Sequence, residues 1–160
     1  MVKPCCVAKP AVPIVETSNG QLALKLNSGY EMPMVGLGTW QAAPEVVRKS
    51  IRDAVTAGYR LIDCAHWYQN EEAIGDELEQ LFKEGVVKRE DLFITSKLHP
   101  SFMGRDDVVP MLKTQLKNLK LDYLDLYIMH WPLTFKKDPT GNLMVIFFYF
   151  FVLGNFQLIF

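Results

Sequence analysis

Apolar residues along the chain fall into two alternating rhythms. Short runs at Met34–Leu37, Leu61–Ile62, Leu92–Ile94 and Leu124–Met129 read as strands. The last three begin at 61, 92 and 124, a recurrence of 31 or 32 residues. Stretches of helical period separate them. One has Pro44 in its first turn, sets Val47, Ile51 and Val55 on one face and stops at Gly58. A second is capped by Asn70, faces inward through Ile74, Leu78 and Leu81, and ends at Gly85. A third is capped by Asp106 or Asp107, with Leu112, Leu116 and Leu119 inward. Strand, helix, strand at about thirty residues per unit predicts the βαβ repeat of a parallel sheet.

Ahead of these units, Leu22–Leu26 and Tyr30–Met32 alternate on either side of Asn27-Ser28-Gly29, which predicts a β-hairpin. Residues 1–20 are Pro-rich and unpatterned, and are expected to form a mobile arm. Two α/β architectures use the repeat, a doubly wound open sheet and a (β/α)8 TIM barrel. A dinucleotide-binding open sheet carries G-x-G-x-x-G after its first strand. Here Gly36-Leu37-Gly38 runs into Thr39-Trp40-Gln41 without the third glycine, which favours the barrel. A barrel takes roughly 250 residues, whereas this chain has 160 and four such strands. The expected fold is therefore a truncated TIM barrel over residues 21–142, its first four βα strands preceded by the hairpin.

Composition changes that picture at one place. Residues Leu143–Phe160 carry no charge, 15 of the 18 are apolar, and six of the ten phenylalanines lie there. As a helix they would reach about 27 Å, marginal for a bilayer core of about 30 Å, with Lys136 and Lys137 on the cytoplasmic side. Asn155 and Gln157 interrupt that span. A membrane anchor and a cover for the exposed sheet stay open beside the expected reading, a terminus foreign to the rest of the chain. Elsewhere, 17 basic and 18 acidic residues give a net charge of −1, which argues against a nucleic-acid partner. Cys5, Cys6 and Cys64 are too few for a disulfide scaffold and point to a reducing, cytoplasmic compartment.

The candidate chemistry is positional. Each strand delivers a polar residue to its C-terminal end: Thr39, Asp63, Lys97 and His130. In parallel barrels those ends form the catalytic face. Asp63 and Lys97 interrupt apolar runs on neighbouring strands, so each is the other's natural partner. Tyr68, five residues after Asp63, leans over the same rim. An isolated phenol has a pKa of about 10, and an adjacent ammonium favours its phenolate. A Tyr–Lys–Asp chain thus reads as a tuned general acid. His130, one strand further round, is placed to orient a substrate carbonyl, whereas His66 and His99 have no such partners. No metal-ligand spacing links the three histidines. Trp40, Trp67 and Trp131 flank the rim and describe an apolar pocket for a small ligand.

The run Gly58–Gly75, with Asp63-Cys64-Ala65 and Tyr68-Gln69-Asn70-Glu71, resembles the first signature of the aldo-keto reductases. Phe93-Ile94-Thr95-Ser96-Lys97-Leu98 is similar to the strand carrying that family's lysine. Asp125–Pro132 is similar to the strand carrying its histidine, and Gly36–Trp40 to its first barrel strand. The likeness runs from about Leu22 to Asn142. It implies a monomeric enzyme that reduces a small aldehyde or ketone to the alcohol with NADPH. Tyr68 would donate the proton, Lys97 and Asp63 would tune it, and His130 would orient the carbonyl. Thr39, Trp40 and Asp63 would touch the nicotinamide end of the cofactor, while Trp40, Trp67, His130 and Trp131 would line the substrate pocket. Leu61 and His99 stand where the family commonly has histidine and tryptophan, departures expected to act on substrate choice. Nothing resembles the later strands, with their Ser-Asn pair, stacking tyrosine and basic loop. The resemblance therefore implies either a reductase impaired by truncation or a non-catalytic remnant, with any membrane contact confined to 143–160.

Overall fold

A computed structural model describes residues 13–17, 20–137 and 143–146. In chain order the elements are β1 (Ile14–Glu16), β2 (Leu22–Lys25), β3 (Glu31–Pro33), β4 (Gly36–Gly38), α1 (Pro44–Thr56), β5 (Leu61–Asp63), α2 (Glu71–Lys83), β6 (Phe93–Leu98), α3 (Val108–Leu119), β7 (Leu126–Met129), β8 (Thr134–Lys137) and β9 (Leu143–Ile146). Short 3-10 turns lie at His66–Tyr68, Arg89–Asp91 and Pro100–Phe102.

The four strands expected from the βαβ pattern form one parallel sheet in the order β4-β5-β6-β7. That order is sequential, without the reversal a doubly wound sheet makes at its switch point. Gly38 is in register with Asp63, Asp63 with Thr95, and Lys97 with Ile128. Side chains alternate across a strand, so Thr95 and Lys97 share one face while Ile94 and Ser96 share the other. The second face meets the helices. Val47, Ile51 and Val55 of α1 and Ile74, Leu78 and Leu81 of α2 are buried there against Ile62, Cys64 and Ile94. These are the faces predicted from helical period. Each large aliphatic side chain fully buried contributes roughly 1.5–3 kcal/mol, which makes this layer the main source of cohesion.

Two glycines are required by geometry. Gly58, at φ +98°, ends the turn from α1 into β5 in a conformation that L side chains resist. Gly75 lies where α2 crosses α3, and a Cβ there would run into the backbone carbonyl of Asn118 and sit 2.8 Å from the Leu119 Cα. Ion pairs stitch the outer surface of the helices: Arg48 with Asp76, Arg52 with Glu77 at 2.6 Å, and Lys120 with Asp76 and Glu79 at 2.7 and 2.9 Å.

Several expectations need correction. Ile14–Glu16, inside the stretch read as a mobile arm, pair antiparallel with β2, so the hairpin β2–β3 gains a third strand and β2 lies at the centre of the sheet. Backbone pairing of the β-branched Ile14 and Val15 prevails there over the Pro-rich composition around them. Asn70 sits at the N-cap position of α2 but makes no capping bond. Its buried amide instead donates to the carbonyls of Thr39, at 2.8 Å, and Ala42, at 3.1 Å, tying the loop after β4 to the start of α2. Asp107 is the N-cap residue of α3, also without a side-chain capping bond. The buried face of α3 is Met111, Gln115 and Leu119, while Leu112 and Leu116 are half-buried. A polar residue with satisfied bonds takes the central inward position, and counting apolar residues overlooks it. Lastly, Leu143–Ile146, at the head of the apolar tail, are a strand antiparallel to β8 rather than a helix. Residues 1–12, 18–19 and 147–160, which hold the rest of the arm and of the tail, lie outside the described residues. Among the described residues no helix is long and apolar enough to cross a membrane.

Candidate active site

The C-terminal ends of β5, β6 and β7 bring the predicted polar residues together. Asp63 closes β5, and Lys97 lies two residues beyond its register partner Thr95, so both project from the same face. The Lys97 ammonium lies 2.6 Å from Asp63 Oδ1, 2.9 Å from the Tyr68 hydroxyl oxygen and 3.0 Å from the Cys64 carbonyl oxygen. Three partners saturate its three donors. The Lys97 side chain is 12 % exposed and that of Asp63 35 %, so the pair sits at the boundary between sheet and solvent. Tyr68 reaches the ammonium because the 3-10 turn His66–Tyr68 folds the chain back over the end of β5. That turn is closed by Gln69 in the left-handed region, at φ +55°.

His130 follows β7 directly, and its backbone N–H donates to the Leu98 carbonyl at 3.1 Å, which extends the sheet by one bond. Its ring stands edge-on to Tyr68, with centroids 5.6 Å apart. Burial, and then the Lys97 charge, hold its pKa below the ordinary histidine value, against a weaker opposite pull from Asp63. The imidazole is therefore neutral at neutral pH and keeps one donor and one acceptor nitrogen. Its Nδ1 is buried without a hydrogen-bond partner among the described residues.

Trp67 and Trp131 meet at 5.1 Å, and Trp67 also touches His130 at 5.7 Å. Trp40 stands apart from this cluster and is 66 % exposed. Thr39 is 1 % exposed, and its hydroxyl donates to the Asp63 carbonyl at 2.9 Å. Thr39 thus holds β4 to the end of β5 instead of presenting a free hydroxyl at the rim. The remaining predicted residues converge: Asp63, Tyr68, Lys97, His130, Trp67 and Trp131 share one rim.

Sequence reasoning overlooked part of the aromatic wall. Phe135 on β8 packs against Trp67 and Trp131, with centroids 5.6 and 6.1 Å apart. Thr134 anchors that strand through a 2.6 Å bond from its hydroxyl to the Pro100 carbonyl. His99, which stands where the family commonly has tryptophan, lies in this aromatic group. Its ring lies 4.5 Å from Trp67 and 5.9 Å from His66, and its Nδ1 accepts a 3.1 Å bond from the Ser101 N–H. Burial lowers the pKa of both His66 and His99. No periodic signal marks Phe135, because it belongs to a hairpin outside the repeat. His99 was legible in principle, being two residues beyond Lys97 and so on the same side of the chain.

A parallel α/β layer that gathers a lysine, an aspartate and a tyrosine at its strand C-termini defines a protein with a reaction-type site on that rim. Comparison with known proteins identifies the group. Residues 34–142 match the model of the aldo/keto reductase family, and the chain belongs to that family. It is 54 % identical over 116 residues to aldo-keto reductase family 4 member C11 of Arabidopsis thaliana, covering 72 % of this chain and 37 % of that protein. It is 51 % identical over 119 residues to aldose reductase of Encephalitozoon cuniculi, covering 74 % of this chain and 39 % of that protein. Among solved structures, aldose reductase from Schistosoma japonicum aligns with a TM-score of 0.72 and 41 % identity, over 79 % of this chain and 44 % of that one. A Bombyx mori aldo-keto reductase in complex with NADP aligns with a TM-score of 0.70 and 39 % identity, over 76 % and 41 %. The chain thus spans well under half the length of these relatives.

Proposed function

We propose that this chain carries the proton-donating rim and the nicotinamide end of an NADPH-dependent reductase of small aldehydes and ketones, built on part of a (β/α)8 barrel. The observation that carries the reading is the Lys97 ammonium held simultaneously by Asp63, Cys64 and Tyr68. Side chains at the rim suit a nicotinamide: Asp63, partly exposed with one oxygen committed to Lys97, and Trp40, a largely exposed aromatic surface at the end of β4. When bound, the cofactor supplies the hydride. Tyr68 holds a proton at its hydroxyl oxygen, within reach of a carbonyl oxygen placed between it and His130. Lys97, anchored by Asp63, is fixed 2.9 Å from that hydroxyl, placed to stabilise the negative charge that develops on the oxygen during proton transfer. Neutral His130 donates a hydrogen bond that orients the carbonyl. Trp67, Trp131 and Phe135 form an apolar wall, which keeps water from competing with a small substrate.

The relatives' names, among them aldose reductase and an NADH-dependent D-xylose reductase of Candida parapsilosis, support a sugar-like or simpler carbonyl substrate. NADPH is preferred here over NADH on family resemblance, with the NADP-bound Bombyx mori relative in support. Fluorescence titration of the full chain with NADPH and NADH tests the reading. Saturable quenching, tighter for NADPH, together with aldehyde-dependent NADPH oxidation, is the expected result. Absence of saturation with either nucleotide would instead support a non-catalytic chain. That alternative draws on Ile128 and Met129, which remain 40 % and 45 % exposed on β7, the last strand of the parallel sheet.

A further inference from the structure

On the face of β6 opposite Lys97 lies a buried polar cluster that the proton-donating set does not use. Glu71 opens α2, Ser96 precedes Lys97 on β6, and Gln115 sits midway along α3; their exposures are 3 %, 0 % and 0 %. The Ser96 hydroxyl donates to Glu71 Oε1 at 2.7 Å, and the Gln115 amide donates to the same oxygen at 2.8 Å. The Gln115 amide also lies 2.7 Å from Ser96 Oγ and 3.3 Å from the Lys97 carbonyl oxygen. Tyr127, the register partner of Ser96 on β7, donates its hydroxyl to Gln115 Oε1 at 2.7 Å. The second carboxyl oxygen, Glu71 Oε2, is buried without a hydrogen-bond partner among the described residues and stands 3.9 Å from Nδ1 of His66.

A buried carboxyl is a poor source of stability, since well-packed apolar residues of similar volume often do as well or better. Burial raises the pKa of Glu71, against the opposing pull of its Ser96 and Gln115 hydrogen bonds and of the Lys97 charge. Its location suggests another role. On one side the cluster grips the backbone of Lys97 through Gln115, and on the other it reaches the turn that ends in Tyr68. Glu71 is itself only three residues after Tyr68. We propose that Glu71 is a positioning residue for the contact between Lys97 and Tyr68. Through Ser96 and Gln115 it fixes the Lys97 segment against the helix layer, and from the start of α2 it fixes the 3-10 turn that presents the phenol. The 2.9 Å contact between the two side chains then depends on a carboxyl that touches neither of them.

The kinetic part of the test rests on the reductase reading above, and the spectroscopic part does not. In the full chain, Glu71→Ala removes the cluster's central acceptor, whereas Glu71→Gln keeps a carbonyl oxygen for Ser96 and Gln115. Glu71→Ala is expected to lower kcat for aldehyde reduction about tenfold to a hundredfold, with KM and NADPH affinity within about twofold, and Glu71→Gln to recover most of the loss. Independently of turnover, the 13Cζ resonance of Tyr68, assigned with Tyr68→Phe, should move in Glu71→Ala and return in Glu71→Gln. Circular dichroism verifies the fold of each variant. A Tyr68 resonance unmoved in a folded Glu71→Ala protein overturns the proposal. Wild-type protein without turnover overturns only the reductase reading, and the resonance then decides alone. Should Glu71→Ala not fold, Gln115→Leu, which removes the contact to the Lys97 carbonyl, takes its place with the same two outcomes.

Discussion

The two faces of the parallel sheet handle charge in opposite ways. On the helix side, charges that pair across α1, α2 and α3 stand at the surface: Arg48 with Asp76, and Lys120 with Asp76 and Glu79, are each about two-fifths exposed. Such pairs contribute little apiece, and the layer coheres through Ile51, Ile74, Leu78 and Leu81 beneath them. On the other face Lys97 is only 12 % exposed and is held by three partners, next to a histidine whose buried Nδ1 has no partner among the described residues. The difference teaches that cohesion and polar positioning are separated in this protein. On the helix side close-packed hydrocarbon holds the layer together, with the paired charges outside it and the Glu71 carboxyl buried within. On the rim one buried ammonium is fixed by polar partners beside the aromatic wall of Trp67, Trp131 and Phe135.

The sharpest way to break that comparison is to remove a single oxygen from the rim. Tyr68→Phe leaves Lys97 with Asp63 and Cys64 and should change stability little. Carbonyl reduction should nevertheless fall by about 10²–10⁴-fold, the usual worth of a positioned acid. Steady-state kinetics beside a denaturation curve measures both, and a loss of stability matching the loss of activity would erase the distinction.

A core deletion should do the reverse. Leu78→Ala opens a cavity in the helix layer and is expected to cost about 2–5 kcal/mol in urea unfolding. Activity per folded molecule should stay close to that of the parent chain. A specific-activity drop at temperatures where the variant is still folded would show that the helix layer, and not the rim alone, sets the site geometry.

The smallest effect concerns pH. Burial lowers the pKa of His66, His99 and His130 below the ordinary value of 6.5. Their unfolded forms take up protons first, so the stability they contribute is present above about pH 6.5 and is lost as pH falls through their folded values. Glu71 acts with opposite sign, because its raised pKa gives a contribution that is full below 4.5 and is lost as pH rises through its folded value. The urea midpoint should therefore fall modestly on acidification below about pH 6.5. Replacing His66 and His99 by glutamine should flatten that fall, and an unaltered slope would mean that both rings are solvated.

Much of the fold was legible because its signals are local. Val47, Ile51 and Val55 repeat at helical spacing, Gly58 stops the helix, and the next strand follows at once. The convergence of Asp63, Lys97 and His130 was legible for a related reason: parallel strands in sequential order place their C-terminal ends side by side. Gln115 was not legible. A glutamine at a core position looks like a break in an apolar stripe until Glu71 and Ser96 are known to meet it. Thr39 and Trp40 show the same limit at the rim, since neighbouring residues of one segment end at opposite extremes of exposure.

Periodicity and spacing by themselves determined the βαβ units and the inward faces of α1 and α2, and the order of the strands brought Asp63, Lys97 and His130 toward one rim. Those features depend on the 3.6 and 2.0 residue repeats of the backbone, which any sufficiently long segment reports. Only the tertiary structure decided that Asn70 binds two carbonyls instead of capping a helix, that Ile14–Glu16 join a sheet, and that Leu143–Ile146 pair with β8. It alone also decided that a buried carboxyl, Glu71, lies behind Lys97. Each of these is a choice of hydrogen-bond partner between segments distant in sequence, and a buried polar group is satisfied by whichever donor or acceptor the packing brings near.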